Sequence, residues 1–186
     1  MTSVERTRVE KFLRSRGAER LVYPGGSLYE HLCRVSMLLS DWGAEETIQI
    51  VGLCHACYGT DGFDHAMVSV ADRQTLIELI GPAAEALVYL YCSCDRAAVY
   101  PLLAGDGPVA FRDRFTGRVH TPSPREVRVF LEITAANELD ALSHNRALLA
   151  EHGADLFTLF TGARDRLSDV AWRACVDLLG APGERT

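Results

Sequence analysis

The chain has 186 residues, enough for one domain with a full core, and 48% of them are apolar, as expected of a soluble globular protein. Its 25 acidic residues outnumber 19 Lys and Arg, and a net charge of −6 without a basic run excludes the electrostatic footprint of a nucleic-acid binder. No apolar stretch approaches the roughly 20 residues that span a bilayer, and "MTSVERTRVEKFLRSRG" lacks the apolar run of a signal peptide, so a cytoplasmic protein with no membrane partner is expected.

Taken in chain order, the pattern is helical almost throughout and predicts an all-α bundle. Residues 3–16 set Val4, Val9, Phe12 and Leu13 between charges, the pattern of a modest amphipathic helix. "VYPGGS" then breaks the chain. Ser27 and Glu30 form an S-x-x-E capping box before "LYEHLCRVSMLLSDW", a helix expected to stop at Gly43. A buried helix follows over "EETIQIVGLCHACY", with acidic residues where the helix dipole favours them. After the loop "GTDGFDH", helices are predicted over about 71–80 and 82–93, hinged at Gly81-Pro82. Residues 101–123 read as a long excursion with room for a short hairpin, and loops of that length are often functional. Ser123-Pro124 starts the longest predicted helix, through "REVRVFLEITAANELDALSHNRALLAEHG". Two shorter helices follow, and "APGERT" reads as a frayed tail. The expected organisation is one domain over 1–186, with a core at about 26–145 and C-terminal helices at 154–180.

Three helices carry a polar residue where periodicity calls for an apolar one. His31 lies in the face of Leu28, Val35, Leu38 and Trp42, and His55 continues the face of Ile48 and Val51. Asn137 falls in the stripe of Phe130, Ile133, Thr134, Ala141 and Leu148. One such residue alone would read as a satisfied core group. Leaving any of them unpaired costs about 1–3 kcal/mol, and helices packed together would satisfy all three most cheaply in one cavity.

His31, a Trp-Gly stop, and "IVGLCHACYG" with its histidine 24 positions after His31 resemble the HD-domain superfamily, helical enzymes that are mostly metal-dependent phosphohydrolases. The resemblance covers about residues 26–145 and implies an HD-like helical bundle. It places the family's first His at His31, its His-Asp pair at His55-Ala56, and its distant Asp at Asn137 within "AANELDAL". Two carboxylate ligands of the family are thus Ala and Asn here. Two imidazoles and an amide fall short of the three good ligands of catalytic zinc or of a two-His-one-carboxylate iron site. The resemblance leaves open a divalent metal (iron, manganese or zinc) on His31 and His55 with Asp61, Asp64, His65 or Asp140.

Other residues carry chemistry of their own. Cys54-His55-Ala56-Cys57 is a C-x-x-C, but it lacks a thioredoxin-like context and a second pair at zinc spacing, so packing thiols are expected. Tyr58 and Thr60 can bind or protonate a polar substrate group, and Arg73 can clamp a carboxylate or phosphate, with a surface ion pair as its ordinary fate. Tyr29, Asp95 and Arg96 are weaker candidates, and His120, His144 and His152 have no partner legible in the sequence.

The expected function is a small-molecule enzyme without a cofactor. His31 and His55 serve as general acid and base, Asn137 orients substrate or an oxyanion, and Tyr58, Thr60 and Arg73 bind polar groups. Elimination, isomerisation, cyclisation or hydrolysis of a metabolite would suit this set. The alternatives are a metal-dependent HD phosphohydrolase or oxygenase, and a non-catalytic ligand-binding module. Oligomeric state is left open, a homodimer included.

Overall fold

The computed structural model describes residues 3–180, with side chains from residue 5 onward. Val4 as a packing residue and the expected tail at 181–186 lie outside what is described. The protein is all-α, 66% helical, with two two-stranded ribbons among the described residues. Among the described residues no helix is long and apolar enough to cross a membrane. The chain divides into two compact units, Met1–Cys94 and Asp95–Thr186.

The first unit begins with α1 (Ser3–Ser15), which stops at Gly17, where φ is +87°. A ribbon follows in the segment expected only to break the chain: β1 (Val22–Tyr23) pairs antiparallel with β2 (Gly26–Ser27). The capping box forms as expected. The Ser27 amide donates to Glu30 Oε2 at 2.7 Å, and the Glu30 amide to Ser27 Oγ at 3.3 Å, so α2 (Leu28–Asp41) starts there. Trp42 and the left-handed Gly43, φ +78°, end it.

α3 (Glu46–Cys54) packs along α2. Gly52 permits the close approach: a Cβ there would lie 2.4 Å from Leu39 Cδ1. The helix is shorter than the expected run to Tyr58, because three-residue turns take over. The Cys57 amide donates to the Cys54 carbonyl and the Gly59 amide to the Ala56 carbonyl. The Cys57 carbonyl then accepts from both Met67 and Val68, which ties the returning loop down. α4 (Arg73–Ile80) and α5 (Pro82–Cys92) meet at Gly81, and Pro82 opens α5 where no amide donor is needed.

The second unit opens with α6 (Arg96–Val99), capped by Asp95, and a 3-10 turn over Tyr100–Leu102. The long excursion contains a short hairpin, β3 (Phe111–Arg112) with β4 (Val119–His120). Asp113 organises its turn, its Oδ1 accepting from the Phe115 amide at 2.8 Å. α7 (Pro124–Ser143) starts on a second capping box, Ser123 with Glu126.

The predicted single helix through 153 is two helices, which corrects that expectation. α7 stops at Ser143, and α8 (Arg146–Gly162) restarts because Asn145 Oδ1 accepts from the amides of Ala147 and Leu148 at 3.0 and 3.2 Å. α9 (Asp169–Leu179), capped by Ser168, packs on α7 and α8.

Candidate functional site

His31 sits one turn into α2 and is fully buried. His55 caps the end of α3 and is 2% exposed. The Gly52 contact between α2 and α3 brings the two imidazoles edge to face, with ring centroids 5.3 Å apart. His55 Nδ1 lies 2.7 Å from the Gly52 carbonyl oxygen. A carbonyl can only accept, so Nδ1 carries the proton and Nε2 carries the lone pair of the neutral ring. The backbone is fixed on the other side, where the Cys92 thiol donates to the His55 carbonyl at 2.9 Å.

Aromatic rings surround the pair. Tyr23, from β1, stacks on His31 with centroids 4.1 Å apart and an interplanar angle of 27°. Tyr91, from α5, meets His55 edge to face at 5.3 Å. Phe63, from the loop after α3, packs on Tyr23 at 5.5 Å. Tyr23 and Phe63 are half-buried, so they form the rim of the cluster toward solvent. None of these three rings was singled out from the sequence. A ribbon of two-residue strands has too little periodicity to announce itself, and Tyr91 looked like one apolar residue among many.

Residues 12–96 match the model of a family described as a domain of unknown function (DUF6817). No curated protein and no solved structure matches the chain. The similar segment contains both histidines, all five residues of the aromatic and imidazole cluster, Tyr58, Thr60 and Arg73, and stops before Asn137.

Tyr58 and Arg73 are brought together by a residue that went unnoticed in the sequence. Glu85, on α5 and 1% exposed, accepts from the Tyr58 hydroxyl at 2.7 Å. Arg73 Nε and Nη2 each reach a separate oxygen of the same carboxylate at 2.7 Å. The guanidinium also lies over the Tyr89 ring, 3.9 Å from its centroid. Burial, then the neighbouring Glu85 carboxylate, pushes the Tyr58 phenol above its ordinary range, and the hydrogen bonds to Glu85 raise Arg73 further. These groups stitch the loop after α3 to α4 and α5. The signal was in "AAEALVYLY": a carboxylate inside an apolar helix demands a cationic partner.

Thr60 is 7% exposed and pairs by its backbone with Phe63, amide to carbonyl in both directions. Asp61 is half-buried, whereas Asp64 and His65 are exposed, the His65 ring 5.3 Å from Phe63. Among the described residues no three His, Cys, Asp or Glu side chains gather closely enough to hold a metal ion. The donor set around His31 and His55 is two imidazoles with Ala56 beside them, and it does not fit a resident catalytic metal.

The C-x-x-C cysteines are both fully buried, and the Cys57 thiol is pushed well up, first by its hydrogen bond to Cys54 and then by burial. A thiol so raised is a poor thiolate source.

Asn137 and Asp140 belong to the second unit. Asn137 is 4% exposed, and its Nδ2 donates to Glu138 Oε1 at 3.1 Å. That same oxygen accepts from Arg96 Nη1 at 2.9 Å. Asp140 is buried on α7, and its carbonyl accepts from His144 Nδ1 at 2.8 Å. Of the weaker candidates, Asp95 caps α6, and Tyr29 accepts from Arg14 Nη2 at 2.6 Å.

Proposed function

We propose that the chain is a small-molecule enzyme in which His31 and His55 act as a general acid and base. The observation that carries this reading is the buried imidazole pair with one tautomer fixed by the Gly52 carbonyl. Neutral His55 can take a proton from a substrate carbon or hydroxyl at Nε2. The resulting imidazolium keeps Nδ1–H on the Gly52 carbonyl, a hydrogen bond that strengthens with the charge. His31, within ring contact, returns or relays a proton on the facing side of the substrate. Imidazole suits both tasks near neutral pH without a metal.

The half-buried Tyr23 and Phe63 mark the side from which a substrate would reach the pair. The chemistry is elimination, isomerisation, cyclisation or hydrolysis of a small organic metabolite. The bundle of helices with its two polar positions at His31 and His55 is also the core of the HD-like reading, in which an ancestral metal site has lost its carboxylates.

The test is turnover of a metabolite panel by the wild type, H31Q and H55Q, with metal content measured on protein purified without added metal. Each substitution is expected to lower kcat by roughly a hundredfold or more while the helical fold is kept. Wild-type turnover in both variants would overturn the assignment. A tightly held stoichiometric ion would overturn it in favour of a metal-dependent hydrolase or oxygenase.

A further inference from the structure

Within the second unit, side chains of α6, its 3-10 turn, α7 and α8 line a groove of about 530 Å³, inside the span of about 300–1,000 Å³ typical of small-ligand sites. Its body is apolar, with Tyr100, Leu156 and Leu159 among the lining residues. Arg96, Glu138, His152 and Asp155 supply its polar edge. We propose that this groove binds an organic cation with an apolar body, a protonated amine whose head lies at Asp155.

Charge decides the ligand class. Arg96 is already paired with Glu138 at 2.9 Å, and Asn137 donates to the same carboxylate, so this cation and anion offset each other. Asp155 is exposed on α8, and among the described residues its side chain makes no hydrogen bond or ion pair. With Arg96 set against Glu138, the Asp155 carboxylate is the charge of the lining left uncompensated. A ligand carboxylate would meet a spoken-for guanidinium and an exposed like charge, whereas an ammonium meets attraction. Tyr100, over whose ring the Arg96 guanidinium lies 5.7 Å from the centroid, adds an aromatic wall. Leu156 and Leu159 lie one turn apart on α8 and give the ligand body an apolar wall.

The test titrates the full chain with 4-phenylbutylamine and, separately, with 4-phenylbutanoate, which differ chiefly in the sign of the head group. Backbone amide shifts are followed by NMR. The amine is expected to shift amides at 96–104 and 152–159 and to bind at least about fivefold more tightly than the acid. D155N is expected to weaken the amine by about fivefold and to leave the acid no weaker. T158W, a substitution of an exposed lining residue, is expected to fill the groove and abolish amine binding. Equal or tighter binding of the acid, an unchanged amine affinity in D155N, or no shifts in those two segments would overturn the proposal. Because His31 and His55 play no part in it, failure here and failure of the acid–base reading are separately visible.

Discussion

Removing Arg73 distinguishes a residue that holds the fold from one kept for a ligand. In R73A the Glu85 carboxylate, 2% exposed in its side chain, loses two hydrogen bonds of 2.7 Å and keeps only the Tyr58 hydroxyl. Stripping the partner from a buried charge costs about 3–5 kcal/mol, but the Arg73 side chain is 36% exposed and water screens part of the pair. The expected loss is therefore about 2–3 kcal/mol. With a urea m-value of about 2 kcal/mol/M, that moves the unfolding midpoint down by about 1–1.5 M. Trp42 fluorescence in a W172F background reports on the first unit, since these are the two tryptophans of the chain. The double variant R73A/E85Q should regain part of the loss, because a buried amide carries no charge to strand. A change below about 0.5 kcal/mol in R73A, with no recovery in R73A/E85Q, would refute this role and return Arg73 to the ligand-binding candidates.

Other substitutions probe the packing around the site. G52A forces a Cβ to within 2.4 Å of Leu39 Cδ1 between α2 and α3, and should cost about 1–3 kcal/mol in urea unfolding. S123A removes the cap of α7 and should cost about 1 kcal/mol. The hydrogen bonds from Ser123 hold the Glu126 carboxyl below its ordinary 4.5, so its contribution is complete above that value and is lost as the pH falls through the lower folded value. The stability gap between wild type and E126Q should therefore close in acid, as followed by circular dichroism against pH. Native protein should expose at most the half-buried Cys33 to Ellman's reagent at pH 8, since burial pushes Cys175 up to about 12 and Cys54, Cys57, Cys92 and Cys94 are buried too. All six should react after denaturation, and rapid native labelling at Cys54 or Cys57 would contradict the packing role.

Much of this was legible in the sequence because its signals are local. Both capping boxes, the left-handed Gly43 and the Gly81-Pro82 joint specify their own geometry within a few residues. The burial of His31, His55 and Asn137 followed from periodicity alone. What escaped depended on partners distant in the chain or on competing local choices. Glu85 reaches Tyr58 across 27 positions, a pairing no helix pattern encodes. The break after Ser143 is one Asn side chain outcompeting helix continuation, in a stretch whose apolar rhythm runs on undisturbed. Tyr23 covers His31 from a strand of two residues, too short to carry a period.

The acid–base reading stands on Nε2 of His55 carrying the lone pair beside His31. Long-range proton–nitrogen correlation of ¹⁵N-histidine-labelled protein at neutral pH reads the tautomer of each ring, and nuclear Overhauser contacts read their proximity. His55 should carry its proton on Nδ1, with cross-peaks between its ring protons and those of His31. A proton on Nε2 of His55, or no contact between the two rings, would contradict it.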